Sequence, residues 1–171
     1  MLRFTKCTMS VFVIAVIIFG IVTPLIAHSR ANESGYGDTR YNIELVIDRS
    51  TSLNRTDKNN NRYTALKYMF ATLPATGNEM GAVVFNDKIT EVSPIKPIKT
   101  PGDKDALYQK IINAKPQKGG TNIGAASDFA VDSLIEKQQE QDSKGSNRLE
   151  SVVIIFTDGI TDVKNKKASF A

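Results

Sequence analysis

Asp48, Ser50 and Ser52 set three oxygen-bearing side chains at alternate positions, at the end of the stretch YNIELVIDRSTS from Tyr41 to Ser52. Core packing does not call for that spacing directly after an apolar run. A hard cation does, because Mg²⁺ and Ca²⁺ take ligands from carboxylates, carbonyls, hydroxyls and water. A second carboxylate occurs in a similar context: Asp158 follows the apolar run SVVIIFT, Ser151 to Thr157. Other chemistries are poorly supplied. The single cysteine, Cys7, and the single histidine, His28, both fall in the N-terminal thirty residues. No intrachain disulfide and no cysteine-based zinc site can therefore form. The rest of the chain also lacks a Ser-His or Cys-His unit for nucleophilic catalysis. Any metal site there is an all-oxygen site. The competing reading is structural, since Asp and Ser beyond a strand also cap helices.

These residues need elements to hold them. Tyr41 to Asp48, Gly81 to Phe85 and Ser151 to Thr157 are short Val/Ile-rich runs that read as buried strands. Lys88 to Val92 alternates and reads as a short edge strand, and Pro94, Pro97 and Pro101 mark an irregular loop after it. Between the strands lie helical patterns. Arg62 to Leu73 places Ala65, Leu66, Met69, Phe70 and Leu73 on one face; Lys104 to Ala114 has Asp103 as its expected N-cap. After a flexible Gly119-Gly120 turn, Thr121 opens a helix to about Gln139, with Ala126, Phe129, Ala130, Ser133 and Leu134 at helical spacing. Asp57, Asn59 and Asn61 match the start of a calcium loop. Arg62 stands where that loop needs glycine and Tyr68 where it needs an acid, so the segment reads as surface loop.

The alternation predicts an α/β fold: an open, mainly parallel sheet with helices on both faces. In such sheets ligands sit beyond the carboxyl ends of the strands, where the strand order reverses. Asp48 and Asp158 converge if their strands are neighbours at that point.

With 171 residues, one domain is expected. A net charge of +4 with scattered lysines and no recognition motif argues against nucleic acid as a partner. Residues 1–30 carry Arg3 and Lys6, then an uncharged run over residues 9–27 with its apolar core from Val11 to Val22. The segment suits a signal peptide cleaved after Ser29 or an N-terminal transmembrane helix. Either reading puts the remainder outside the cytoplasm, secreted or membrane-anchored. Residues 31–40 read as a linker and 41–171 as the folded part.

Asp48-Arg49-Ser50-Thr51-Ser52, then Thr121 within GGTNIG, then Asp158 within FTDG, follow one another in an order and context that resembles the von Willebrand factor type A domain. The resemblance covers roughly residues 40–162. It implies a Rossmann-like sheet and a metal-ion-dependent adhesion site. It further implies that Ser50 and Ser52 bind the ion directly, Thr121 directly or through water, and Asp48 and Asp158 largely through water. The implied cofactor is a divalent cation, magnesium first, with manganese or calcium as alternatives. The implied partner is a protein that offers an acidic side chain to the metal. Arg49, between two of the motif positions, reads as solvated, or as a charge that favours such a partner.

The resemblance also implies two further strands with their helices, and the residues after Asp158 offer none. The expectation is a domain lacking its last strands and helices, whose Asp158 strand is an edge with Val152, Ile154 and Phe156 poorly covered. Asp162 reads as a turn or cap residue. The functional expectation is a non-enzymatic, extracytoplasmic, metal-dependent protein-binding module. One alternative is a non-binding remnant of such a domain. The other is a metal-assisted hydrolase with Asp48 as nucleophile, which Ser50 disfavours by standing where a second carboxylate belongs.

Overall fold

The computed structural model describes residues 12–15, 40–74, 76–114, 119–146 and 149–159. Its sheet contains β1 (Phe12–Ala15), β2 (Tyr41–Asp48), β3 (Glu79–Phe85), β4 (Ile89–Pro97) and β5 (Glu150–Phe156). The order across the sheet is β1-β5-β2-β3-β4. All neighbours are parallel except β3 and β4, which form an antiparallel pair. The chain steps outward from β2 through β3 to β4, then returns to the other side of β2 as β5. The strand order therefore reverses between β2 and β5, and the carboxyl ends of those two strands carry Asp48 and Asp158.

The helices are α1 (Leu53–Thr56), α2 (Asn61–Thr72), α3 (Pro101–Asn113) and α4 (Ile123–Ser143). Alternation along β2 splits the core into two layers. Ile43, Leu45 and Ile47 face Leu66 and Phe70 of α2 and Leu107 and Ile111 of α3. Val46 faces Ala126, Ala130 and Leu134 of α4, together with Val153 and Ile155 of β5. The alanines let α4 lie close on the sheet. Helices thus cover both faces, as the alternation predicted.

Several local expectations are corrected. The edge strand does not stop at Val92; β4 continues through Pro94 to Pro97. As an edge strand it has a side with no ladder to maintain, and its register against β3 shifts around Ala82, so proline is tolerated. Helix α3 starts at Pro101, with Thr100 at the N-cap and Asp103 at the third helical position. The Asp103 carboxylate accepts hydrogen bonds from the backbone N–H groups of Lys99 and Thr100, which hold it below the usual carboxylate range. Helix α4 is capped by Asn122, whose Oδ1 accepts the Ala125 N–H at 3.2 Å, and not by Thr121. Leu53–Thr56 forms a helical turn where loop was expected. Asp57 is the N-terminal anchor of α2, taking the Asn61 N–H at 2.6 Å and pairing with Arg62 at 2.6 Å.

The edge expectation changes too. β5 lies between β1 and β2, and Phe156 is buried, with Val152 and Ile154 half-buried. Phe12–Ala15 form β1. The rest of the expected signal or anchor segment, the linker up to residue 39, and Asp162 lie outside the described residues. Among the described residues no helix is long and apolar enough to cross a membrane.

Candidate functional site

Four segments meet beyond the carboxyl ends of β2, β3 and β5. Asp48, at the last position of β2, is fully buried, and Ser50 and Thr121 are nearly so. Ser52 and Asp158 are half-buried. The loop after β2 folds back on its own carboxylate, with the Ser50 N–H donating to Asp48 Oδ1 at 2.7 Å. The Thr157 hydroxyl, from the end of β5, donates to Asp48 Oδ2 at 2.7 Å. The two hydroxyls of Ser50 and Ser52 lie 2.9 Å apart. The Thr56 hydroxyl donates to Asp158 Oδ2 at 2.9 Å.

The loop that carries Thr121 is clamped from two sides. Thr51 donates from its N–H and its hydroxyl to the Gly119 carbonyl, at 3.3 and 3.1 Å, and the Gly119 N–H returns a bond to Thr51 Oγ1 at 3.3 Å. The Asn122 N–H donates to the carbonyl of Asn86, in the β3–β4 turn, at 2.7 Å. Gly119 is needed for close approach: a Cβ there would lie 2.7 Å from Asn86 Nδ2 and 2.8 Å from Asp87 Cγ. The residue read from sequence as part of a flexible turn is a packing point.

The electrostatics favour a cation. Burial pushes the Asp48 carboxyl above its ordinary value; the hydrogen bonds from Thr157 and Ser50 pull it back, and the charge of Asp158 pushes it up again. The two carboxylates are thus close enough to repel, and a divalent ion would turn that repulsion into attraction. Among the described residues no three His, Cys, Asp or Glu side chains gather to hold a metal. A metal at this point therefore depends on hydroxyl oxygen and water, the donor set that Ser50, Ser52 and Thr121 provide beside two carboxylates. That set fits a hard cation that retains water.

The structure brings Asp48, Ser50, Ser52 and Asp158 together and ties the residues on either side of Thr121, Gly119 and Asn122, to Thr51 and Asn86. It also weakens the structural reading of Thr121 and Ser52 as helix caps. Asn122 rather than Thr121 caps α4, and no side-chain cap from Ser52 supports α1. Arg49 is corrected: it is buried, not solvated, and its side chain is turned onto α3. Sequence reasoning missed Thr51, Thr56 and Thr157, which orient the loops and carboxylates. Thr157 precedes Asp158 directly, and that adjacency was its only signal.

Among solved structures, the fold is similar to proximal thread matrix protein 1 from the mussel byssus, at 23% identity and a TM-score of 0.49, over 74% of this chain and 30% of that one. A structure of the same mussel protein with a zinc-occupied MIDAS motif matches at 20% identity and a TM-score of 0.44, over 74% and 33% of the two chains. The vWF domain of the type V pili tip protein Mfa5 from Porphyromonas gingivalis matches at 20% identity and a TM-score of 0.48, over 74% and 41%. The chain thus spans less than half the length of each of these. No curated protein matches the sequence. The family model described as the von Willebrand factor type A domain matches residues 42–169, most of the chain. The chain belongs to the von Willebrand factor type A domain family.

Proposed function

We propose that this chain is a metal-dependent protein-binding module in which Asp48, Ser50, Ser52, Thr121 and Asp158 hold one divalent cation, with magnesium the first choice. The observation that carries the reading is the meeting of two mutually repelling carboxylates at the switch point with a pair of hydroxyls 2.9 Å apart. Both Asp48 oxygens already accept protein hydrogen bonds. This supports a role in which Asp48 reaches the ion largely through water and the hydroxyls are the direct ligands. The bound ion would supply an electrophilic centre, and the residues of this chain would hold it without fully neutralising it. An acidic side chain of a partner protein could then complete its shell. The uncharged run over residues 9–27 behind Arg3 and Lys6 supports a setting outside the cytoplasm, secreted or membrane-anchored.

The test is thermal and urea unfolding of the chain with Mg²⁺ and then with EDTA. An ion that binds only the folded state stabilises it by about 2.7 kcal/mol at a hundredfold excess over Kd. The expected result is a midpoint that rises with Mg²⁺ in the wild type and does not rise in Asp48→Ala or Asp158→Ala. A wild-type midpoint indifferent to Mg²⁺, Mn²⁺ and Ca²⁺ would overturn the assignment.

A further inference from the structure

Arg49 stands between Asp48 and Ser50, yet its side chain leaves the loop. It is 8% exposed. Its Nη2 donates to Tyr63 Oη at 2.7 Å and to the carbonyls of Ile111 and Ile112 at 3.0 and 3.1 Å. Its guanidinium carbon is 5.7 Å from the centroid of the Tyr63 ring, and Arg62 stands 4.4 Å from the same centroid. Arg62 is itself held by Asp57. The Arg49 N–H donates to the Phe85 carbonyl at 2.7 Å, which fixes its backbone to the end of β3.

Ile111 and Ile112 belong to the last turn of α3, where carbonyls run short of intrahelical donors and the helix dipole is negative. A cation there satisfies both needs. Lys104 does the same for α2, donating to the carbonyls of Phe70 and Leu73 at 2.6 and 2.9 Å. Lys104, however, belongs to α3 and lies away from the oxygen cluster, whereas Arg49 is part of the loop that carries that cluster. A guanidinium free in this loop would compete with a metal for Asp48 and Asp158. Its Nη2 is instead engaged by α3 and Tyr63, while its buried Nε has no hydrogen-bond partner. Helix α3 ends at Asn113, eight residues before Thr121. Arg49 thus ties the loop of Asp48, Ser50 and Ser52 to the element that leads into the loop of Thr121.

We infer that Arg49 is a positioning residue of the metal site: it couples the Asp48–Ser52 loop to the C-terminal turn of α3, so that ion binding and order in that turn strengthen each other. The inference rests on the metal site proposed above. Residues that orient metal ligands from behind are worth about 10–100-fold in affinity. Lysine is a poor substitute, because it lacks the planar fork and the stacking surface.

The test titrates the full chain with MgCl₂ or MnCl₂ alone, by calorimetry, in the wild type and in Arg49→Ala, Arg49→Lys and Tyr63→Phe. Amide exchange over residues 105–114 is followed with and without metal. The expected result is a Kd raised about tenfold or more in Arg49→Ala, with a partial rescue in Arg49→Lys. Tyr63→Phe, which keeps the ring and loses one acceptor, raises Kd by a smaller factor. Metal slows exchange in the last turn of α3 in the wild type and much less in the Arg49 variants. A merely structural role would lower stability and leave Kd alone. Should Arg49→Ala fail to fold, Arg49→Lys and Tyr63→Phe decide. Folded variants with wild-type Kd and wild-type metal protection overturn the role of Arg49 alone. A wild type that takes up no metal overturns the site together with this inference.

Discussion

Glu44 is a buried carboxyl in the middle of the sheet, and its replacement by glutamine tests the energetics of the sheet. It sits in the middle of β2, 1% exposed, opposite Gly81 of β3. Its Oε2 has no hydrogen-bond partner. Burial, reinforced by the charge of Glu91, pushes its carboxyl from 4.5 up to about 8. A carboxyl whose folded value lies above its unfolded value stabilises the fold fully below the unfolded value. That contribution is lost as pH rises through the folded one. Each tenfold change in proton affinity is worth about 1.4 kcal/mol, so ionising Glu44 in place costs about 5 kcal/mol. This is comparable with the whole stability of a marginal domain, about 5–15 kcal/mol. Between pH 5 and 8 the wild type should therefore lose roughly 1.4 kcal/mol per pH unit through this group alone. Glu44→Gln keeps the shape and removes the charge. Its amide carries one more donor than the protonated carboxyl, and a buried donor left unpaired costs about 1–3 kcal/mol. The curves should then cross: the variant is the less stable at pH 5 and the more stable at pH 9. Urea unfolding at half-unit pH steps in EDTA measures this, and the wild-type minus variant difference removes the contribution of Asp48, which both proteins share. Parallel curves from pH 5 to 9 would refute the reasoning, because they would mean that Glu44 titrates as it does in the unfolded chain.

Two further substitutions probe the same framework. Gly81→Ala would bring a Cβ against Glu44 Oε2 and within 2.9 Å of the Ile95 backbone nitrogen. Overpacking of this kind costs about 1–3 kcal/mol, visible as a lower urea midpoint at unchanged slope. Asn122→Ala removes the cap of α4 and should cost about 1 kcal/mol, with faster amide exchange at Ala125, its former donor; unchanged exchange there would show that the cap contributes nothing.

What the sequence discloses, and what it conceals, follows from the range of the interactions involved. The buried strands are legible because Val/Ile-rich runs report their own burial, and Asp48 and Asp158 are legible because each directly ends such a run. Convergence of the two carboxylates needed only one topological fact, the adjacency of β2 and β5, and a parallel sheet with a switch point makes that adjacency natural. Glu44 is different. Read along the chain it is one polar residue in an apolar run, and the room for its carboxylate is kept by a glycine 37 residues away on the adjacent strand. Arg49 is different for the same reason. Its neighbours mark a loop, and loops predict solvation, but its acceptors are carbonyls 62 and 63 residues further on. The cap of α4 shows that one position can mislead: Thr121 and Asn122 are both good caps by type, and the backbone bond from the Asn122 N–H to the Asn86 carbonyl accompanies the choice of Asn122. Thr121, 1% exposed at the meeting of the loops, stands one residue before that cap. The residue types beside a site are thus readable locally, whereas which of two neighbouring residues takes the capping role is decided by tertiary contacts.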